Sequence, residues 1–354
     1  MSQPREEPEE GNVSGIGVIG VGYWGPNLVR NFHALDTCAG VAVADFDSER
    51  LAEMGRRHPG IQTTTDHRDL LNDSDVVGIA IATPVSTHFE LARESLLAGK
   101  SVFVEKPLAR TSAECSELIA LARDRQLVLM VGHTFEYNAA VKQVEEYISA
   151  NVLGEIYYIY AQRLNLGVVR QDVNAMWNLA PHDISIALRW LKRMPVSVNA
   201  TGHTYLQDGI EDVVFLTLRF DDGVAVNIHV SWLDPNKVRR MTVVGSERMV
   251  VYDDATTENK IQLFDKGIDR RDIGGNLGDF DSFGKFQLIH RAGDITIPRV
   301  DFVEPLRVEC LHFLDCIRGG ETPATDGENG LRVVRILEAA DLSLAAGGQS
   351  VAID

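Results

Sequence analysis

Residues 16–25 read Ile-Gly-Val-Ile-Gly-Val-Gly-Tyr-Trp-Gly, an apolar run that leads into three glycines spaced as G-x-G-x-x-G, and a helical pattern follows at 27–35. Between a strand and a helix, the first glycine allows a tight turn and the second lets the backbone approach a pyrophosphate. The third lets the helix pack closely on the strand, and the helix N-terminus offers N–H groups to phosphates. We therefore expect a dinucleotide to be bound by the residues of this turn, Gly20, Gly22, Tyr23, Trp24 and Gly25.

An acidic residue, Asp45, follows the second predicted strand and lies 20 residues after Gly25. An acid at this point accepts hydrogen bonds from the ribose hydroxyls of NAD and repels the 2′-phosphate of NADP. The sequence therefore favours NAD over NADP as the cofactor. Asp47 lies in the same turn and is a competing candidate for this role.

The first 135 residues alternate short apolar strand patterns with amphipathic helical patterns. Strands are predicted at 16–19, 41–44, 76–82, 101–104 and 127–131. Helices are predicted at 27–35, 48–58, 87–97 and 112–124, the last opened by a capping box of Thr111 and Glu114. This alternation predicts βαβ units, and hence an α/β domain built on a doubly wound parallel Rossmann sheet.

Beyond about residue 150, strand patterns follow one another directly. They lie at 156–164, 196–205, 213–220, 224–230, 240–244 and 249–252, with a hairpin turn at 221–223. Helices are predicted at 184–192, 305–317 and 330–345, and a long loop at 267–284. Consecutive strands predict a C-terminal α+β domain with a large, mostly antiparallel sheet. We therefore divide the chain into an acidic disordered tail (1–13), a NAD-binding domain (14–135) and a substrate-binding and oligomerisation domain (136–354).

Composition excludes several classes of protein. A formal net charge of −17 repels nucleic-acid backbones. No apolar stretch is long enough to span a bilayer, and the polar N-terminus is not a secretory signal. The four cysteines are scattered and form no CxxC pair, which predicts reduced thiols and no metal site. We expect a cytoplasmic protein that binds neither nucleic acid nor membrane.

Two further motifs accompany the glycine turn. Ala82-Thr83-Pro84, with His88 four residues on, follows the strand at 76–82, and Glu105-Lys106-Pro107 follows the strand at 101–104. With the glycine motif, this order and spacing resembles the Gfo/Idh/MocA oxidoreductases over about residues 14–345. The resemblance implies a NAD-dependent sugar dehydrogenase that acts on a CH–OH group, with cofactor contacts from Thr83, Pro84, His88, Glu105 and Lys106. In the alternative interpretations His88 caps a helix, Glu105 ties down its loop, and Pro107 fixes a cis or kinked peptide.

The family's second motif is an Asp followed four positions later by a His, on a helix. In the matching segment, 177–183, His182 is present but Asn178 stands at the Asp position. Asn can hydrogen-bond a hydroxyl but cannot take its proton, so catalysis falls on Lys106 and His182. We expect both to contact the reacting hydroxyl, with Asn178 orienting the sugar and Asp183 either orienting His182 or binding a helix N-terminus.

Later segments resemble the branch of the family that acts on nucleotide-linked sugars, which includes UDP-N-acetylglucosamine 3-dehydrogenases and UDP-N-acetylaminoglucuronate dehydrogenases. These segments are 163–167, 177–183, 231–235 and 242–246. By this analogy C3 of the sugar is oxidised. Candidate substrate contacts are Asn178, Arg163, Asn165, Tyr137 and Asp183, with His133, Lys237 and Arg239 as further polar residues near the expected cleft.

Three alternatives remain open: a keto-sugar reductase, an inositol or aminocyclitol dehydrogenase, and a NAD-binding protein without catalysis. The presence of both Lys106 and His182 argues against the last. The open face of the second domain's sheet should carry apolar residues that need a cover, so we expect a homodimer or homotetramer.

Overall fold

The computed structural model describes residues 14–272, 286–301 and 303–353. The chain forms two compact units. The first comprises the chain up to Thr134 together with Glu304–Val334, and the second comprises Phe135–Val303 together with Arg335–Asp354. The predicted acidic tail, 1–13, and residues 273–284 of the predicted loop lie outside the described residues.

The elements are numbered in chain order. The strands are β1 Ser14–Ile19, β2 Cys38–Ala44, β3 Gln62–Thr64, β4 Val76–Ile81, β5 Ser101–Glu105, β6 Leu129–Gly132, β7 Ile156–Leu166, β8 Ser197–His203, β9 Val213–Arg219, β10 Ala225–Ser231, β11 Leu233–Gly245, β12 Met249–Asp253, β13 Ile261–Asp272, β14 Phe286–Thr296 and β15 Val351–Ala352. The α-helices are α1 Gly25–His33, α2 Ser48–Arg57, α3 His67–Asn72, α4 His88–Leu97, α5 Ser112–Asp124, α6 Ala139–Ser149, α7 Ala175–Leu191, α8 Pro305–Gly319 and α9 Gly327–Ala345.

The first unit contains a six-stranded parallel sheet in the order β3-β2-β1-β4-β5-β6. The strands β1, β4, β5 and β6 are buried on both faces, which explains the continuous apolar runs in the sequence. This confirms the predicted Rossmann sheet. The strand order reverses between β1 and β4, and in such sheets a ligand binds at the carboxyl ends of the strands beside that reversal.

Helix α8 belongs to the first unit, although the sequence placed all of 136–354 in one C-terminal domain. Its Phe313 packs edge-on against Phe32 of α1 and Phe103 of β5, with ring centroids 6.3 and 5.8 Å apart. The observed grouping therefore differs from the predicted contiguous division. The cause is aromatic packing between residues more than 200 positions apart, which sequence periodicity does not reveal.

The second unit contains a nine-stranded sheet in the order β14-β13-β12-β11-β7-β10-β9-β8-β15. All pairs are antiparallel except β7 with β10, so the predicted mostly antiparallel sheet is confirmed. Residues alternate along the central strands: Val226, Ile228 and Val230 of β10 are buried on the face that α7 covers. The other face carries Tyr158, Tyr160 and Phe215, each more than a third exposed.

Three details differ from the sequence prediction. Helix α7 begins at Ala175, not at 184, and continues through Pro181. A proline in a helix interior costs about 3 kcal/mol, but here the helix buries a long apolar face that offsets this cost. Residues 267–272, predicted as loop, belong to β13, and α3, α6, β3, β13, β14 and β15 were not predicted.

No helix in the described ranges is both long enough and apolar enough to cross a membrane.

Candidate active site

The glycine turn joins β1 to α1. Gly20 has φ +91°, a left-handed conformation that favours glycine. A Cβ on Gly25 would lie 1.9 Å from the carbonyl oxygen of Gly20, so the helix start packs directly on the turn. A Cβ on Gly22 would meet no protein atom closer than the Arg50 Nη1, at 3.6 Å. The space in front of Gly22 is thus left clear of protein, as a pyrophosphate requires.

The start of α1 also fits an anionic ligand. Its N-cap residue, Trp24, makes no side-chain capping hydrogen bond, and Pro26 occupies the first turn. Uncapped N–H groups at a helix N-terminus form a binding site for phosphate. Together with the clear space at Gly22, these features fit the dinucleotide that the sequence predicts. The side chain of Tyr23, next in the turn, is 90% exposed.

Asp45 follows β2 and faces the glycine turn. Its Oδ2 accepts the Val21 N–H at 2.7 Å, and its Oδ1 accepts the Asp47 N–H at 2.9 Å. A carboxylate can accept about four hydrogen bonds, so capacity remains for ribose hydroxyls. The competing candidate, Asp47, is the N-cap of α2 and accepts the N–H groups of Glu49 and Arg50. This geometry favours Asp45 for the ribose.

His88 joins the two loops that carry the other motifs. Its buried ring places Nδ1 2.8 Å from the Pro107 carbonyl oxygen and Nε2 3.0 Å from the Thr83 carbonyl oxygen. Both partners are carbonyl oxygens, which can only accept. A neutral imidazole donates from one nitrogen, so it makes one of these hydrogen bonds, and both form only when the ring carries two protons. The Thr83 hydroxyl accepts a hydrogen bond from Thr87 at 2.7 Å. His88 therefore fixes the loop at Thr83-Pro84 against the loop at Lys106-Pro107.

Lys106 follows β5, and its peptide bond to Pro107 is cis, one of the two forms expected for it. The preceding residue, Glu105, is 9% exposed. Burial raises the pKa of Glu105 to about 7, although the charge of Lys106 opposes the rise. The carboxyl also packs on β6, because a Cβ on Gly132 would lie 3.0 Å from its Oε2. The buried carboxyl of Glu105 therefore interacts electrostatically with Lys106, the residue predicted to be catalytic.

His133 follows β6 and completes this end of the sheet. It is 1% exposed, and burial lowers its pKa to about 3, helped by the charges of Lys106 and Arg332. The imidazole is thus neutral at physiological pH. Neither of its ring nitrogens has a hydrogen-bond partner among the described residues. Such a group is rare in proteins and is typical of a site that takes water or a ligand atom.

Two residues of this cluster were not predicted. Arg332 of α9 is near His133, and Glu309 of α8 accepts a hydrogen bond from Thr134 at 2.6 Å. Both lie about 200 residues further along the chain, in helices whose sequence carries no motif. Only the fold could reveal them.

The other predicted residues lie in the second unit. His182 of α7 packs edge-on against Phe135, with ring centroids 4.9 Å apart. Asn178, one turn earlier, accepts a hydrogen bond at its Oδ1 from the buried indole of Trp232 at 3.2 Å. This contact fixes the orientation of the amide, because the indole N–H can only donate. The amide NH₂ is therefore the end that faces away from Trp232.

Arg163 and Asp183 bind each other. The Arg163 Nε and Nη2 donate to the two carboxylate oxygens, each at 2.9 Å, and both side chains are almost fully buried. Asp183 was expected to orient His182 or bind a helix N-terminus, but its carboxylate instead pairs with Arg163. That guanidinium also lies over the Phe135 ring, 4.6 Å from the centroid. Asp183 is therefore linked to His182 through Arg163 and Phe135.

The remaining candidates differ in accessibility. Tyr137 is 5% exposed, with the Lys142 ammonium 5.7 Å from its ring centre. Asn165, near the end of β7, is partly exposed. The Arg239 guanidinium lies 5.9 Å from the Phe135 ring centre and pairs with Asp254 at 3.5 Å. Asn165 and Arg239 are therefore more accessible to a ligand than Tyr137.

Two family models match the chain. Residues 14–133 match the oxidoreductase family with a NAD-binding Rossmann fold, Gfo/Idh/MocA. Residues 141–251 match the Gfo/Idh/MocA C-terminal domain. The two matches cover most of both units.

Known proteins with similar sequences include dehydrogenases of two kinds of substrate. The UDP-N-acetylglucosamine 3-dehydrogenase of Acidithiobacillus ferrooxidans is 29% identical over 257 residues, which cover 71% of this chain and 77% of that protein. An inositol 2-dehydrogenase of Paenarthrobacter aurescens is 31% identical over 230 residues, 61% of this chain and 68% of that protein. The solved structure of the Acidithiobacillus enzyme covers 94% of this chain and 98% of its own, with a TM-score of 0.74 and 25% identity. On these matches, this chain is a NAD-binding oxidoreductase of the Gfo/Idh/MocA family.

Proposed function

We propose that this protein is a NAD-dependent dehydrogenase that oxidises a secondary hydroxyl, at C3, of a nucleotide-linked sugar. The observation that carries the proposal is that the chain holds both Lys106, which interacts with a buried carboxyl in the first unit, and, in the second unit, His182 with an oriented Asn178 one turn away. The similarity to the Acidithiobacillus enzyme over 77% of its length supports the choice of substrate class.

Oxidation of a secondary alcohol removes a hydride from carbon and a proton from oxygen, and leaves a ketone. A nicotinamide cofactor held at the glycine turn would supply the hydride acceptor. The proton needs a base within hydrogen-bond reach of the hydroxyl. Lys106 is proposed to take it, with His182 sharing the proton because imidazole titrates near neutral pH.

Asn178 is proposed to hold the sugar. Its carbonyl oxygen accepts a hydrogen bond from Trp232, and its NH₂ group is proposed to donate one to a substrate oxygen. It donates a hydrogen bond and takes no proton. Arg163 is proposed to act by packing on Phe135, since two of its donors are bound by Asp183.

The test is a substrate survey, read as NADH absorbance with NAD and UDP-sugars, dTDP-sugars, inositols and free sugars. NADH formation with a UDP-sugar, and a 3-keto product, supports the proposal. Lys106→Met and His182→Gln should each lower turnover by roughly a hundredfold or more, and His182→Gln should do so with cofactor affinity near wild type. Turnover retained by Lys106→Met would refute the assigned role.

The second candidate is an inositol dehydrogenase, favoured by 31% identity to the Paenarthrobacter enzyme. NADH formed from inositols and not from UDP-sugars selects it. NADH consumption with a keto-sugar, and no reverse activity, selects a reductase. Tight NAD binding without turnover on any substrate selects the non-catalytic protein.

We also propose that a second copy of the chain covers the open face of the nine-stranded sheet. Phe215 and His229 pair across β9 and β10 with stacked rings, centroids 4.2 Å apart, and Phe215 stays 44% exposed. Exposed aromatic residues on one sheet face are typical of a protein interface. Light scattering should give a dimer or tetramer at micromolar concentration, and Phe215→Lys should lower the assembled fraction. A wild-type monomer would contradict this.

A further inference from the structure

Arg239 of β11 and Arg163 of β7 lie directly opposite each other where these two antiparallel strands pair. Side chains at opposed positions project from the same face of a sheet, and like charges at such positions destabilise the strand pairing. The Arg163 charge is balanced by the carboxylate of Asp183, which accepts two hydrogen bonds from it. What balances the charge of Arg239 therefore needs an explanation.

Arg239 shares its carboxylate partner with other donors. Its Nη1 lies 3.5 Å from the Asp254 Oδ2, which is long for an N–H···O hydrogen bond. The Asp254 Oδ1 also accepts hydrogen bonds from Asn138 at 3.3 Å, Tyr252 at 3.3 Å and Lys260 at 3.4 Å. One carboxylate thus serves two cations, and Arg239 is the more accessible of them, with a side chain 36% exposed against 14% for Lys260.

The Phe135 ring links this guanidinium to the imidazole proposed for catalysis. Arg239 lies 5.9 Å from the ring centroid, and the centroid of the His182 ring lies 4.9 Å from the same point. The guanidinium and the imidazole are therefore separated by no more than one aromatic ring and its two contacts. A sugar whose hydroxyl contacts His182 can reach Arg239 with a charged substituent.

We propose that Arg239 binds an anionic group of the substrate, either a phosphate of the nucleotide linkage or a carboxylate on the sugar ring. A guanidinium suits both groups, because it can donate two parallel hydrogen bonds to their oxygens. The anion supplies the counter-charge that Asp254 divides between Arg239 and Lys260. The site then favours a charged sugar over a neutral inositol. This inference rests on the proposed function, since it places the reacting hydroxyl at His182.

The test measures binding by calorimetry in the presence of NADH, which prevents oxidation of the probes. Glucose and glucose 1-phosphate differ in one phosphate, and UDP-glucose and UDP-glucuronate differ in one carboxylate. The variants are Arg239→Gln, which removes the charge, and Arg239→Lys, which keeps it. The matched control is Arg240→Gln. Arg240 is the next residue of β11, projects from the opposite face and pairs with Asp253 at 2.9 Å.

Wild-type protein should bind at least one anionic probe more tightly than glucose. Arg239→Gln should weaken that probe by roughly tenfold or more, the value of a charge-assisted hydrogen bond, and should leave glucose unchanged. Arg239→Lys should keep part of the affinity, because it keeps the charge but loses the planar fork. The loss should shrink as salt is raised. Equal losses for the two UDP-sugars assign the site to the phosphate, and a larger loss for UDP-glucuronate assigns it to the carboxylate.

Three results would overturn the inference. In the first, wild-type protein binds no anionic probe more tightly than glucose. In the second, Arg239→Gln binds every anionic probe like wild type. In the third, Arg240→Gln loses as much affinity as Arg239→Gln. Failure of the proposed dehydrogenase gives a different result, because no sugar would then reduce NAD while anion binding that depends on Arg239 stayed measurable.

Discussion

Arg163 of β7 and Asp183 of α7 form a doubly hydrogen-bonded ion pair inside the second unit, with both donor–acceptor distances 2.9 Å. Asp183 directly follows His182, and Arg163 lies over the Phe135 ring that the imidazole contacts. The pair therefore ties the helix that carries His182 to the central sheet. We infer that its role is to position His182.

Asp183→Asn should destabilise the protein by about 3–5 kcal/mol, because it leaves the Arg163 charge buried without a counter-charge. Urea unfolding measures the loss. A matched control is Arg56→Gln, which removes a surface pair with Glu53 and should change little. An apolar double replacement, Arg163→Met/Asp183→Leu, should recover part of the loss. Equal stability of Asp183→Asn and wild type would contradict the account of this pair.

Alanine substitutions at two glycines of the motif should have different effects: one should weaken NAD binding, and the other should lower the stability of the fold. Gly22→Ala has room, with no protein atom within 3.6 Å of the new Cβ, so the unfolding free energy should stay within about 0.5 kcal/mol. Its methyl group would enter the space left for pyrophosphate, so NAD affinity should fall roughly tenfold or more. Gly25→Ala places a Cβ 1.9 Å from the Gly20 oxygen and should destabilise the fold itself by about 1–3 kcal/mol or more.

Calorimetric titration with NAD and thermal melts separate the two effects. A Gly22→Ala variant with lowered stability would contradict the open space described at Gly22. A Gly25→Ala variant with normal stability and normal NAD binding would contradict the close contact between Gly25 and the Gly20 oxygen.

Glu105 and His133 should make opposite contributions to the pH dependence of stability. Burial raises the pKa of Glu105 from 4.5 to about 7, so its folded form holds a proton that the unfolded form loses. The unfolding free energy then falls as pH rises between these values. Burial lowers the pKa of His133 from 6.5 to about 3, so the unfolding free energy falls as pH drops between those values.

The two slopes, about 1.4 kcal/mol per pH unit each, cancel where the two ranges overlap, at about pH 4.5–6.5. Glu105→Gln should therefore gain stability with rising pH in this window relative to wild type, and His133→Gln should lose it. The double variant should restore the wild-type slope. Urea unfolding at several pH values measures all four proteins, and parallel curves for them would show that neither group is perturbed by burial.

Local rules were enough to predict the first unit's main features. The glycine turn follows from spacing, and the capping box of Thr111 and Glu114 forms as predicted because it involves only neighbouring residues. The central parallel strands can be predicted from the sequence because burial on both faces requires continuous apolar runs.

Long-range contacts could not be predicted in this way. Nothing near Asp183 in the sequence indicates Arg163, and nothing near His133 indicates Arg332. Helix α7 was predicted too short. It contains Pro181, a local helix breaker, and its buried face outweighs the cost of that proline. Tertiary packing decided each of these points.

Asn178 offers a test of why the family's Asp is replaced. Asp would still accept the Trp232 indole hydrogen bond, so Asn178→Asp should fold like wild type. Asn178→Leu leaves that indole N–H, in a residue only 1% exposed, without its acceptor and should cost about 1–3 kcal/mol. Because a carboxylate stabilises a nearby imidazolium, Asn178→Asp should also move the acidic limb of the turnover–pH profile to higher pH, if His182 shares the proton. If the pH profile of a folded Asn178→Asp variant is unchanged, His182 does not share the proton. If Asn178→Leu melts like wild type, the Trp232 indole does not need Asn178 as its hydrogen-bond acceptor.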